Sequence, residues 1–145
     1  MPWYSAFPDP KHTELQGISP DDLAALLRDP ATQVAKDVLV VDVRRTDFEV
    51  GVYIKGAINL PAHSFYETVD TAVELLKNVK KVVFHCQACL PGGRAYRAAG
   101  WYADALEKRG LPTDGVYYLE GGIKAWKEKY GEDEALSVKL KVLEE

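Results

Sequence analysis

The chain has 145 residues, 47% of them apolar and 28% charged, the balance of one soluble globular domain with little room for a second. Eighteen Lys and Arg against 22 Asp and Glu leave a net charge of −4, which argues against nucleic-acid binding while leaving open a local anion site built from a few arginines. The longest apolar runs, such as Val38–Val41, fall far short of the ~20 residues that span a bilayer, and Met1-Pro2-Trp3-Tyr4 has neither the basic nor the apolar region of a secretory leader.

Residues 1–16 carry Pro2, Pro8 and Pro10 without periodicity and read as an extended arm, pinned to the body by Trp3, Tyr4 and Phe7. Ser19-Pro20-Asp21-Asp22 has the chemistry of a helix start: a hydroxyl cap, a proline in the first turn and acids at the positive end. Leu23, Leu26 and Leu27 continue it as one apolar stripe, and Pro30 closes it. Val38 to Val43 is a β-branched, nearly unbroken apolar run, the mark of a strand buried on both faces. Arg44 to Lys55 reads as a connecting loop, Gly56 to Pro61 as a second short strand, and Glu67 to Asn78 as a helix. Lys81 to His85 is a third strand running straight into Cys86. A loop from Gln87 to Gly93 leads into a helix over Arg94 to Lys108, stopped by Gly110. Val116 to Leu119 is a fourth strand, and Gly121-Gly122 leads into a last helix from Ile123 to Tyr130. The division expected is an arm (1–16), one domain (17–131) and a charged tail (132–145). Strands alternating with helices give an α/β fold with a central, mostly parallel sheet and helices on both faces. Ligands of such sheets bind beyond the carboxyl ends of the strands, where the Cys86 segment lies.

Cys86 and Cys89 are the only two cysteines, too few and too close together for a disulfide framework, so a reducing interior is the expected compartment. The cytoplasm is the first expectation and the nucleus a further candidate. Loop amides near a helix N-terminus form a positive cradle that favours a thiolate and binds an oxyanion beside it. Here the cradle residues are Gln87, Ala88, Leu90, Gly92 and Gly93, with Arg94 and Arg97 on neighbouring faces of the helix start. Arg94, with Arg97 as second choice, would hold the anion through paired guanidinium bonds. A nucleophile in an anion cradle suits transfer of phosphoryl, arsenyl or sulfane-sulfur groups to sulfur. The bland alternative is an inert cysteine buried at a strand end. His12, His63 and His85 have no ligand spacing, so no metal is expected, nor any cofactor. His85, in a strand beside Cys86, points to the opposite face and reads as a packed histidine; His63 reads as a surface loop residue bordering the pocket. Asp42 and Arg44 read as a buried pair fixing the loop. Asp47 and Glu49 are candidate general acids, with a structural role as the preferred reading. Trp101 and Trp126 read as core anchors.

Four blocks in order carry a family resemblance: Val40-Val41-Asp42-Val43-Arg44, then Ile54 to Pro61, then the strand into His85-Cys86, then Leu119-Glu120-Gly121-Gly122-Ile123-Lys124-Ala125-Trp126. The chain resembles the single-domain rhodanese-like superfamily over about residues 17–131. Asp42 to Phe48, Leu60 to Tyr66 and Arg97 to Asp104 look like fungal members of the branch that holds cell-division-cycle dual-specificity phosphatases and eukaryotic arsenate reductases. The resemblance implies Cys86 as nucleophile, loop amides as oxyanion donors and an arginine at the helix start. Five residues separate that pair in the phosphatase branch and about four in sulfurtransferases; seven lie between Cys86 and Arg94 here, which predicts a wider cradle. Counting from Cys89 leaves four, but places the nucleophile inside the loop, where the family does not keep it. Cys89 completes Cys-x-x-Cys and reads either as a resolving thiol or as filler. The resemblance implies a small oxyanion, phospho- or sulfane-sulfur substrate. For arsenate reduction it also implies a resolving thiol, internal or drawn from glutathione, glutaredoxin or thioredoxin. Three functions follow: a phosphatase or arsenate reductase; a sulfurtransferase that forms a Cys86 persulfide; and a non-catalytic binding module.

Overall fold

The computed structural model describes residues 1–48 and 51–140. Five strands form one sheet: β1 (Gln16–Ile18), β2 (Val38–Asp42), β4 (Ile58–Asn59), β5 (Lys81–His85) and β6 (Val116–Leu119). Their order is β1-β6-β5-β2-β4 and every pairing is parallel. The two central strands show why. All five residues of β2 are buried and four of the five in β5, so neither could serve as the half-wet strand of an antiparallel sheet. Alternation along them still sorts the side chains. Leu39, Val41, Val82 and Phe84 enter one core and Val38, Val40 and Val83 the other.

The first core is closed by α3 (Val69–Leu76) and α4 (Arg94–Lys108), the second by α1 (Pro20–Arg28) and α5 (Gly122–Tyr130). The expected helices on both faces of a parallel sheet are therefore present. Ser19 caps α1 by accepting the Asp22 amide at 3.0 Å. Trp126 is fully buried and donates its indole N–H to Ser137 at 2.9 Å, and Trp101 donates to the Pro8 carbonyl at 2.9 Å. Trp3, Tyr4 and Phe7 of the arm pack against the first core, with Phe7 between Tyr66 and Trp101. The arm crosses α4 so closely at Gly100 that a Cβ there would stand 2.6 Å from the His12 carbonyl oxygen.

Four features depart from the sequence reading. The stretch expected to end the arm forms β1, an edge strand paired parallel with β6, Gln16 opposite Tyr117 and Ile18 opposite Leu119. The helix expected over 67–78 is α2 (Ala62–Phe65), a 3-10 turn (Tyr66–Thr68) and then α3. Thr68 Oγ1 donates back to the carbonyls of Ser64 (3.0 Å) and Phe65 (3.4 Å), which competes with a straight helix at that point. The expected loop before Lys55 contains β3 (Gly51–Ile54), and the expected tail contains β7 (Ser137–Leu140). These two pair antiparallel, Gly51 opposite Leu140 and Ile54 opposite Ser137. Leu136, just before β7, is 2% exposed, so the terminal segment belongs to the second core. Among the described residues no helix is long and apolar enough to cross a membrane.

Candidate functional site

The site lies where β2, β4 and β5 end side by side, with Asp42 paired in register to both Asn59 and His85. At this edge the backbone is held by cross-strand bonds and by buried polar side chains. Arg44 grips the Asp42 carboxylate with Nε (3.0 and 3.1 Å) and Nη2 (2.8 Å), both residues being at most 2% exposed. The predicted Asp42–Arg44 pair is thus in place, and Arg44 Nη2 also reaches the Val52 carbonyl. Asn59 Nδ2 donates to the carbonyls of Asp42 and Arg44, fixing the turn that leaves β2.

Cys86 follows β5 directly and its side chain belongs to the first core, whereas His85 points the other way. The Cys86 carbonyl accepts from His85 Nδ1 at 3.1 Å and from the Ile123 amide at 3.0 Å; the Gln87 carbonyl accepts from the Lys124 amide at 3.0 Å. The unpaired amides of the first turn of α5 thereby anchor the base of the loop. This close approach requires Gly122, where a Cβ would stand 2.4 Å from the Gln87 oxygen and φ is +61°. Burial holds the His85 imidazole below its ordinary pKa, hence neutral, with Nδ1 carrying the proton it donates. Its Nε2 has no hydrogen-bond partner and lies 3.7 Å from Asp42 Oδ2.

The loop turns twice before α4. Cys89 adopts φ +52°, uncommon for a residue with a side chain. This conformation brings its sulfur back to within 3.4 Å of the Cys86 amide, which donates to it. Leu90-Pro91-Gly92-Gly93 closes a second turn by the Gly93 amide to the Leu90 carbonyl (2.9 Å), with proline second and Gly92 at φ +77°, the type II pattern. α4 then begins at Arg94, with no side-chain cap on its first amides. One of these, of Ala95, is directed at the Cys86 sulfur.

The electrostatics of the two cysteines follow from this path. The Cys89 thiol donates to the Cys86 sulfur, the Ala95 and Cys89 amides add to it, and Arg94 contributes charge. Against the cost of burial these bring Cys86 down to about 6, so that it is a thiolate at neutral pH. The same hydrogen bond, burial and the neighbouring negative sulfur push Cys89 strongly upward, so it keeps its proton. Both residues are about 5% exposed.

The arginines are engaged in ways that the spacing does not reveal. Arg94 lays its guanidinium on Asp47, Nη1 to Oδ1 at 2.9 Å and Nη2 to Oδ2 at 2.8 Å. That pairing holds the Asp47 carboxyl well below the usual range, so Asp47 is ionised and carries no proton to give; the preferred structural reading applies. Arg97 faces the outer side of the loop, donating to the Gly92 carbonyl (2.9 Å) and to Asp9 (3.0 Å), with its guanidinium 3.4 Å from the centre of the Tyr4 ring. Glu49 lies outside the described residues. His63 is half-buried against Trp3, with ring centres 4.7 Å apart, and its Nδ1 has no partner. His63 lies on α2 rather than on the surface loop expected, and burial, with the charges of Arg45 and Arg94, lowers its pKa. A cleft of about 290 Å³ between the arm and the loop is walled by Asp9, Pro10, Pro91, Tyr96 and Arg97; Cys86 does not line it. Among the described residues no three His, Cys, Asp or Glu side chains converge as a metal site.

Known proteins share both this sequence and this architecture. The rhodanese-like domain model matches residues 19–129. The chain is 29% identical over 140 residues to the dual specificity phosphatase ibp1 of Schizosaccharomyces pombe, covering 84% of this chain and 95% of that protein. It is 36% identical over 132 residues to a tRNA uridine(34) hydroxylase of Acaryochloris marina, covering 88% of this chain but only 37% of that protein. Among solved structures it is similar to the As-Sb reductase of Leishmania major, with a TM-score of 0.62, 28% identity and coverage of 83% of this chain and 82% of the other.

Proposed function

Because the chain belongs to the rhodanese-like domain family, we propose that it is a cysteine-dependent group-transfer enzyme, of phosphatase or arsenate reductase type, with the Cys86 thiolate as nucleophile toward a small oxyanion. The observation that carries this reading is the position of Cys86, set directly after β5 and before the loop into α4, with the Cys89 sulfur folded back to 3.4 Å from its amide and its own thiol pKa lowered. The similarity to a dual specificity phosphatase along nearly its full length, and to an As-Sb reductase, supports the substrate class.

In this reading Cys86 attacks the central atom of the oxyanion. Amides of the loop Gln87, Ala88, Leu90 and Gly92 take up charge on its oxygens, the Gly93 amide expected among them being held by the Leu90 carbonyl, and Arg94 neutralises the rest. Arg97 keeps the loop's outer edge in shape through the Gly92 carbonyl. The Cys89 sulfur, 3.4 Å from the Cys86 amide, supports reductive over purely hydrolytic chemistry. With arsenate, Cys86 displaces water to form a thioester to arsenic. Once Cys86 is bonded to arsenic its negative charge no longer holds the Cys89 proton; Cys89 passes that proton to the departing arsenite oxygen and attacks the Cys86 sulfur, the As–S electron pair leaves with arsenic as arsenite, and a Cys86–Cys89 disulfide remains. Arsenic gains the two electrons that the thiols lose, and glutathione, glutaredoxin or thioredoxin restores the dithiol.

The same thiol pair favours one second reading, sulfurtransfer: Cys86 accepts a sulfane sulfur and Cys89 releases it. The test is turnover by the reduced protein of an aryl phosphate and of arsenate with glutathione, each against Cys86→Ser. Turnover that Cys86→Ser abolishes is expected, and no turnover of either substrate removes the main reading. A gain of one sulfur mass (about 32 Da) on Cys86 after thiosulfate treatment selects the second reading instead.

A further inference from the structure

The two N–H groups of Arg94 best suited to an oxyanion are both spent on Asp47, at 2.9 and 2.8 Å. A guanidinium meets a carboxylate and a tetrahedral oxyanion with the same fork of parallel bonds. Asp47 also sits as a bound anion would. Its Oδ1 takes the Arg45 amide at 3.1 Å, and the Arg45 and Arg94 charges and the His63 ring stand nearby. It lies on a 3-10 turn (Thr46–Phe48) none of whose residues is buried. The turn is anchored at Phe48, whose amide donates to the Arg45 carbonyl and whose ring packs against Tyr53 and the Arg44 guanidinium, while the Asp47 side chain is held by the Arg94 fork and the Arg45 amide. Its departure would open no core.

We propose that Asp47 is an internal stand-in for the oxyanion, occupying the Arg94 fork until substrate takes its place, and so sets the threshold of charge that an anion needs to enter the site. The inference rests on the reading of Arg94 as the arginine that holds the oxyanion. A doubly charged arsenate or phosphate monoester outcompetes the single charge of a carboxylate, whereas a singly charged carboxylate metabolite does not. Asp47 acts through Arg94 and is a positioning residue; it touches no reacting atom.

Binding of tungstate, an unreactive tetrahedral dianion, separates the possibilities when followed by calorimetry on the full chain. Freeing a partly exposed fork tightens binding about three- to tenfold, so Asp47→Asn and Asp47→Ala are expected to lower the tungstate Kd by that factor. Arg94→Ala weakens binding and cancels the gain when combined with either change. The freed guanidinium also turns toward the Cys86 thiolate, so the pH midpoint of Cys86 alkylation falls in both Asp47 variants, a shift that a merely structural role would not produce. If Arg94→Ala weakens tungstate binding but neither Asp47 variant tightens it, Asp47 orients Arg94 productively and the inference is overturned with the oxyanion reading intact. If Arg94→Ala leaves binding unchanged in every background, the oxyanion reading of Arg94 fails and takes the inference with it.

Discussion

Replacing Cys89 tests the electrostatic basis of the site most directly. Its thiol is the largest single contributor to the ionisation of Cys86, ahead of the two amides and Arg94. A hydrogen bond to a charged group is worth about 1.5–3 kcal/mol, and one pKa unit about 1.4 kcal/mol, so losing it raises Cys86 by about 1–2 units. From about 6, the thiol of Cys89→Ala should titrate between about 7 and 8. At pH 7 the thiolate fraction then falls from about nine-tenths to between about one-half and one-tenth, while at pH 9 the two proteins hardly differ. Cys89→Ser keeps a donor of similar size and should stay within about half a unit of the parent. The assay is the rate of iodoacetamide alkylation of Cys86 across pH 5–9, with modification located by mass spectrometry. The linkage gives a second readout. A thiol depressed by folding adds stability above its unfolded pKa, and that stability is lost as pH falls through about 6. Cys89→Ala should therefore lose more stability at pH 9 than at pH 5. An alkylation midpoint unmoved in Cys89→Ala would refute the argument, because the loop amides alone would then suffice.

Two further outcomes follow from the packing. Gly122→Ala sets a Cβ against the Gln87 carbonyl at a left-handed φ and should cost about 1–3 kcal/mol in urea denaturation while raising the Cys86 alkylation midpoint; an unchanged midpoint would mean the α5 anchor does not set the loop. Leu136→Ala, inside the segment that reads as a charged tail, should cost about 2–5 kcal/mol, and a loss under about 1 kcal/mol would exclude that segment from the core.

The legible and the hidden parts of this protein divide by the range of the signal. β2 and β5 announce themselves because every residue needed to recognise a doubly buried strand is contiguous. α4 is equally local, its alanine-rich face running from Ala95 to Leu106. β3 and β7 are four residues each, lie far apart in the chain and are stabilised chiefly by one another, so neither carries its own evidence. The same holds for the site. Cys86 could be placed at a strand end from residues 81 to 86 alone. The partner of Arg94 could not, because Asp47 is 47 residues away and the direction of a guanidinium is decided by what it meets, not by where its Cα stands.

The long interval between Cys86 and Arg94 takes on a physical meaning in this light. A loop of the family's usual length wraps a tetrahedral anion and aims its arginine inward. With seven residues between them, the chain folds Cys89 back through a left-handed turn until its sulfur accepts the Cys86 amide at 3.4 Å. The extra length is thus taken up by a donor of the chain's own, and it stabilises the thiolate more than any single backbone amide does. Arg94, less needed by the sulfur, is free to satisfy Asp47. In the proposed function Cys89 is the resolving partner, its sulfur 3.4 Å from the Cys86 amide, and an adduct on Cys86 would form close to the group that breaks it. Under the function proposed above, that arrangement favours reactions ending in a disulfide over reactions ending in water, and the dithiol, more than the arginine, would select the chemistry.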